Sequence, residues 1–368
     1  MTPAVPTPQG LPPRWYFTVG PTQMHPLVPG VLAAAIQEGL PSWSHRSAPY
    51  RKEVARTVDA LRLLLRIPPG HRVLFVSSAT EAMERIVEGV VERRSAHLVN
   101  GAFARRFRTV SRNLGRETET VEVADGMGFD LGSVTLTGDP ELLAVTQNET
   151  STGVALDPRG IVELGRRHPD ALLAVDAVTA APTQPLELEG VDAFFFGVQK
   201  LFGLPAGLGV LVISPRLVER SRVLQDRGVV VGGYQLLTAE ASAADAHETV
   251  ATPNMLGIHL LGRVAEDFLE RGIERIRWDA RAGAALIHEA AESAGWRPFP
   301  PREEDRSETV LVFHVPEGSE AVRARLAEAG FPVSAGYGVG KDTLVRIAGF
   351  PVQPPEAVEA LARVIRGG

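Results

Sequence analysis

The chain contains no cysteine. That excludes disulfides, thiolate metal sites and any mechanism with a cysteine nucleophile. Long apolar runs are also missing, and none approaches the ~20 residues of a membrane span. Net charge is only −6, so the balance does not point to nucleic acid or to a membrane surface as a partner. The nine histidines are scattered without HxxxH or HxH spacing, which argues against a transition-metal site. Neither a GxGxxG nor a GxxxxGK(S/T) loop occurs, so dinucleotide and P-loop readings lose their best support. The N-terminus, Met1 to Arg14, is Pro-rich and lacks an apolar h-region; it reads as a flexible arm of a cytoplasmic protein rather than a signal peptide.

Lysine is the scarcest charged residue: only Lys52, Lys200 and Lys341 occur among 38 basic side chains. Lys200 follows the apolar run Ala193–Gly197 and precedes a Gly/Pro loop, Gly203–Gly209. Arginine replaces lysine as a surface charge but not as an amine nucleophile, because guanidinium does not deprotonate in proteins. Position alone leaves open a solvated lysine beside a strand.

With 368 residues, 44% hydrophobic and 22% charged, the chain has room for two soluble domains. Short apolar runs at Val73–Val76, His97–Asn100, Leu142–Thr146, Leu172–Asp176, Ala193–Gly197 and Gly207–Ile213 predict strands. Helical patterns at Thr80–Arg94, Phe103–Leu114, Arg159–Arg167 and Arg216–Leu224 alternate with them. This alternation predicts an α/β fold with a mostly parallel central sheet covered on both faces. In such sheets the ligand sits at the carboxyl ends of the strands. Long helices are expected at Met255–Arg271 and Arg281–Ala294. A smaller α+β unit follows, with strands Leu311–Val315 and Leu344–Ile347 and helices Ala321–Ala329 and Pro355–Ile365. The expected division is an N-terminal arm, 1–29, joining the small domain, a large domain, 30–255, and a small C-terminal domain, 256–368.

Asp176 ends a predicted strand. A carboxylate at the tip of an apolar strand is costly without a partner. Either it caps the following loop, or it faces a cation such as the protonated ring nitrogen of a pyridine cofactor. Asp176 and Lys200 at two strand ends suit pyridoxal phosphate. The strand-to-helix turn Ser77–Glu84 supplies free N–H groups and a helix dipole, either as a plain N-cap or as a seat for the cofactor phosphate. Phe103 just past a strand end is either core or a ring that stacks on the cofactor. The polar stretch Thr146–Gly153 is a turn, from which Thr150 reaches a ring oxygen if a cofactor is bound.

These segments, taken with SHRS (Ser44–Ser47), SSATEA (Ser77–Ala82), NGAF (Asn100–Phe103), NETSTG (Asn148–Gly153), VDAVTAAPTQPL (Val175–Leu186), GVQK (Gly197–Lys200) and PAGLGV (Pro205–Val210), resemble the class V, fold-type I aminotransferases over nearly the whole chain. FTVGPT (Phe17–Thr22), SHRS and NET are nearest to the phosphoserine aminotransferase branch. STGV and VDAVTAAPTQPL look more like the serine/alanine–glyoxylate branch. The resemblance implies Lys200 as the Schiff-base lysine and general base, and Asp176 as the pyridinium partner. It implies Phe103 on the cofactor ring, Thr150 at its ring oxygen, and Ala79, Thr80 and Gln199 in the phosphate cup. Thr252 matches a phosphate contact given by a neighbouring subunit, with Ala251 where the family has Asn, and this implies a homodimer with shared sites. His45 and Arg46 resemble the pair that binds the phosphate of phosphoserine, and Arg346 the clamp on the substrate carboxylate. A His–Arg loop of the phosphoserine branch is replaced by Gly336–Gly340, and Glu81 stands near where some members carry Arg. The expected reaction is transamination between phosphoserine and 2-oxoglutarate, with a serine– or alanine–glyoxylate exchange as the alternative.

Overall fold

The computed structural model describes residues 14–367. The Pro-rich arm expected over Met1–Arg14 lies, up to residue 13, outside the described residues. In chain order, α1 (Val28–Gln37) and α2 (Ala48–Leu65) precede β1 (Arg72–Val76), α3 (Ala79–Val90), β2 (Arg94–Val99), α4 (Ala102–Asn113) and β3 (Glu117–Glu122). Then come β4 (Leu142–Thr146), the hairpin β5 (Asn148–Glu149) and β6 (Val154–Ala155), α5 (Pro158–Arg167), β7 (Leu172–Asp176), β8 (Ala193–Gly197) and β9 (Gly209–Ile213). The chain continues through α6 (Pro215–Asp226), α7 (Leu237–Asp245), α8 (Met255–Arg271) and α9 (Ile273–Ser293). It ends with β10 (Arg297–Pro298), β11 (Val310–His314), α10 (Ser319–Glu328), β12 (Ser334–Ala335), β13 (Leu344–Ala348) and α11 (Pro355–Ile365).

Seven strands form one sheet in the order β1-β9-β8-β7-β4-β2-β3. Pairings from β8 through β7, β4 and β2 to β3 are parallel, whereas β9 runs antiparallel to both β8 and β1. The sheet is therefore mixed and mostly parallel. Alternate residues enter different cores. Leu143, Val145, Leu173 and Val175 join one apolar cluster, and Leu142, Ala144, Leu172 and Ala174 the other. A strand buried on both faces reads as a continuous apolar run, which is why these strands are legible in sequence.

Three boundaries differ from expectation by more than two residues. The helix expected over Thr80–Arg94 stops at Val90. Val91 turns to an extended conformation, the N–H groups of Glu92 and Arg93 donate to the Glu141 carboxylate at 2.7 and 2.8 Å, and Arg94 opens β2. The strand expected over His97–Asn100 accordingly starts earlier, behind the polar Arg94 and Ser95. Helix α9 begins at Ile273, well before Arg281, because Gly272 with φ 83° breaks the chain only briefly after α8.

A second, four-stranded sheet has the order β10-β11-β13-β12 and packs on α9 and α11 through a separate apolar cluster that includes Phe313, Ile287 and Leu361. Phe17 bridges Val333 and its carbonyl accepts from Ala348 N–H at 2.9 Å, so the chain entering from the N-terminus lies against this small sheet. Helix α8 sends Ile258, Leu261 and Phe268 into the cluster shared with α2. No helix of the described residues is long and apolar enough to cross a membrane.

Candidate active site

Strand register brings the chemistry to one edge. Val76 pairs with Gly209, and Gly209 with Gly197, so the Ser77–Ala79 turn and the Gly197–Lys200 turn leave the sheet side by side. Thr146 pairs with Asp176, and Asp176 with Phe195, which places the end of β7 beside them. Gly209 permits this approach, because a Cβ there would meet the Phe196 carbonyl at 3.0 Å and Val76 Cγ2 at 3.0 Å.

Asp176 is buried, and its Oδ1 accepts one backbone hydrogen bond, from Val178 N–H at 3.0 Å. Asp176 thus caps its own loop and has no ion-pair partner among the described residues. Burial pushes its carboxyl up to about 7; the Val178 bond pulls the other way, Glu149 adds to the rise, and Lys200 and Arg106 oppose it. The Lys200 amine donates to the Val19 carbonyl at 2.7 Å. Burial first, and then the Arg346 charge, bring it down to about 8, with Asp176 acting against them. Gly20 makes room for this side chain. A Cβ there would lie 2.7 Å from Lys200 Cδ and would collide with the atoms beyond it.

Helix α3 starts at Ala79, with Ser78 as N-cap accepting from Glu81 N–H at 3.1 Å. The N–H groups of Ala79 and Thr80 precede that bond and have no intrahelical acceptor, which makes an anion seat. Glu81 closes the turn from the other side. Its carboxylate accepts from Ser77 N–H at 2.7 Å and pairs with Arg85. Burial alone would raise Glu81, but the hydrogen bonds from Ser77 and the charge of Arg85 outweigh it and hold the carboxyl below its ordinary value. Arg85, itself buried, continues to buried Glu240 at 3.1 Å. Glu81 is therefore spoken for within the fold. Gln199 sits half-buried over Gly197.

The hairpin β5–β6 organises the other side. Glu149 is fully buried and its carboxylate accepts from Phe103 N–H at 3.1 Å, Ala104 N–H at 3.0 Å and Ser151 N–H at 3.0 Å. It caps α4 from a distance and so orients Phe103. Gly101 is needed for this contact, because a Cβ would come 2.6 Å from Glu149 Cδ and 2.7 Å from Ser151 Oγ. The Thr150 hydroxyl lies 3.0 Å from that of Thr179, and the Thr150 carbonyl accepts from Arg346 Nη1 at 3.1 Å. Arg346, on β13, also donates from Nε to the Ala335 carbonyl at 2.8 Å. Burial lowers it to about 10, against the charges of Tyr337 and Glu149. Two chain segments thus meet at one hairpin.

His45, Arg46 and Thr252 gather elsewhere. Thr252 Oγ1 lies 3.4 Å from His45 Nδ1, and Arg46 pairs with Glu248 at 2.6 Å. Their hydrogen bonds among the described residues do not reach Lys200, Asp176 or Arg346. Sequence reasoning missed the roles of Val19, Gly20, Glu149, Thr179, Arg106 and Tyr337. Only Glu149 carried a signal, as an acid in an otherwise neutral polar stretch.

The residues fit pyridoxal phosphate. A buried carboxylate short of positive partners suits a ring cation, an amine without a carboxylate contact is available for bonding, and the α3 N-terminus suits a phosphate. Buried Asn100 Nδ2 and Oδ1, and Thr146 Oγ1, at the ends of β2 and β4, have no hydrogen-bond partner among the described residues.

Comparison with known proteins agrees. The family model described as Aminotransferase class-V matches residues 31–361. A phosphoserine aminotransferase of Rhodococcus jostii is 26% identical, over 99% of this chain and 97% of its own. A solved phosphoserine aminotransferase from Cytophaga hutchinsonii is 36% identical with a TM-score of 0.94, covering 96% of this chain and 98% of that one. An aspartate aminotransferase from Thermus thermophilus is 28% identical with a TM-score of 0.84, over 96% and 98% respectively.

Proposed function

We propose that this chain, which belongs to the class V aminotransferases and is a pyridoxal-phosphate-dependent transaminase of fold type I, exchanges the amino group between phosphoserine and 2-oxoglutarate. The observation that carries the chemistry is the placement of a buried acid and a half-buried amine, Asp176 and Lys200, at adjoining strand ends. The substrate assignment draws on the names of the relatives and on the His45–Arg46 pair.

The bound cofactor supplies an electron sink for charge developing at the substrate α-carbon. The chain supplies the rest. Lys200 would hold the cofactor, and its depressed pKa suits an amine that takes and returns a proton as a general base near neutral pH. Asp176 would keep positive charge at the ring nitrogen. Ala79, Thr80 and Gln199 would hold the phosphate, with Thr150 serving the ring oxygen and Phe103 the ring. Arg346 offers a bidentate fork to the substrate carboxylate. His45, Arg46 and Thr252 form one surface cluster, which in a homodimer with shared sites would serve the second chain's substrate and cofactor.

Two observations favour the alternative, a serine– or alanine–glyoxylate exchange: Arg46 is already paired with Glu248, and the 336–340 loop lacks the cations of the phosphoserine branch. The test is a single-turnover titration of the bound cofactor's visible absorbance. Phosphoserine should bleach it far faster than serine or alanine, 2-oxoglutarate should restore it, and Arg46→Ala should lower the phosphoserine-to-alanine ratio. Bleaching by alanine or serine and recovery with glyoxylate alone would sink the phosphoserine assignment.

A further inference from the structure

Arg106 lies one turn after Phe103 on α4, on the same side of that helix. Its guanidinium carbon is 5.0 Å from the centre of the Phe103 ring, and Nη2 donates to the Tyr337 hydroxyl at 3.1 Å. Its neighbours are neutralised: Arg105 pairs with Glu122 at 3.1 Å and Asp125 at 2.5 Å, and Arg108 with Glu122 at 3.3 Å. Arg106 has no carboxylate partner among the described residues. The same is true of Arg346, whose hydrogen bonds go to two backbone carbonyls and whose guanidinium carbon lies 5.4 Å from the Tyr337 ring centre. Phe103 and Tyr337 pack at 5.3 Å between ring centres. The Arg106 charge is felt at both Asp176 and Lys200.

One half-buried and one buried guanidinium group, Arg106 at the Tyr337 hydroxyl and Arg346 at its ring, stand without counterions and leave an electrostatic deficit around that tyrosine. A monoanionic amino acid satisfies one of them. An amino acid with an acid group at each end satisfies both. We propose that Arg106, positioned by Tyr337, binds the distal anionic group of the substrate, making this a site for amino acids that carry a second acid. The 336–340 loop, which lacks cations of its own at 336–340, then works through Tyr337 by setting where Arg106 stands. The inference rests on the transaminase reading and on Arg346 as the α-carboxylate clamp, but not on phosphoserine in particular, because glutamate is also such a substrate.

The experiment compares wild type, Arg106→Gln, Arg106→Lys and Tyr337→Phe as holoenzymes. Single-turnover rates are measured with glutamate, phosphoserine, alanine and serine, and calorimetry follows the binding of non-reacting glutarate and butyrate. Loss of a charge-assisted hydrogen bond should lower the glutamate-to-alanine ratio roughly 10- to 100-fold in Arg106→Gln, with partial recovery in Arg106→Lys and a smaller drop in Tyr337→Phe. Glutarate affinity should fall relative to butyrate in the same order. Equal losses for both substrate types would mean that Arg106 only packs on Phe103, and would overturn the proposal, as would a wild type with no preference for diacids. If glutamate behaves as stated and phosphoserine fails to react, the phosphoserine assignment falls and Arg106 stands. If phosphoserine reacts and the ratio does not move, Arg106 falls alone.

Discussion

Gly20→Ala should disable the enzyme while leaving most of its fold intact. Gly20 has φ 141°, a region that a residue with a Cβ enters at a cost of about 1–3 kcal/mol. The added Cβ would stand 2.7 Å from Lys200 Cδ and nearer still to the atoms beyond. Ordinary carbon contacts lie at about 3.5–4 Å, so the lysine arm must shift by roughly 1 Å or more, and its 2.7 Å bond to the Val19 carbonyl cannot survive unchanged. Misplacement of a reacting group by about 1 Å costs on the order of 100-fold in rate. The expected result is a drop of that size in single-turnover rate, together with altered visible absorbance of the bound cofactor. Unfolding should remain cooperative, with a midpoint lowered by no more than the backbone strain requires. Wild-type absorbance and rate in Gly20→Ala would refute the reasoning, because the Lys200 position would then not depend on this glycine.

Two further outcomes follow from buried charge. Asp176 has a folded pKa raised to about 7 from 3.8, so the folded chain holds the extra proton between those values and cofactor-free protein should lose stability as pH climbs through that window, then level off. Denaturation of cofactor-free Asp176→Asn should lack this slope, and parallel curves for the two proteins would contradict it. Arg85→Met leaves Glu240 buried without its 3.1 Å partner and Glu81 without its cation, a loss that should cost about 3–5 kcal/mol; pairing it with Glu240→Leu should recover the part of the urea-midpoint loss that comes from Glu240.

The large sheet was readable because its strands are buried on both faces, and β4, β7 and β8 match the expected runs residue for residue. Strand β3, ETETVE, was not, because it lies at the sheet edge with most of its side chains partly exposed and carries no apolar run. Helices α1 and α2 were overlooked: α2 spreads its buried residues, such as Val54, Val58 and Leu61, among Arg and Glu, and no strand precedes it to mark its start. Of the candidate site, Lys200 and Asp176 stood out through scarcity and through cost, both of which are properties of the sequence. Gly20 and Tyr337 did not, because their importance depends on which distant side chain arrives next to them. Lys200 meets Gly20 across 180 positions of chain, and no local pattern encodes that meeting.

The five residues from Glu149 to Gly153 have a consequence for how this enzyme can change. Glu149 sets the helix bearing Phe103, Thr150 offers its hydroxyl to Thr179 in the turn after β7 and its carbonyl to Arg346, and Gly153, with φ 71°, presses against Val310 and Val312, where a Cβ would come 2.8 Å from the Val310 carbonyl. The stretch works as a shared datum from which the ring-facing and acid-binding parts are both measured. A one-residue insertion there would throw both out of alignment at once, so the stretch offers no gradual path to new behaviour. Tyr337 and Arg106 hang from that datum without defining it, leaving the choice of substrate free to drift at the rim while the reacting core keeps its coordinates.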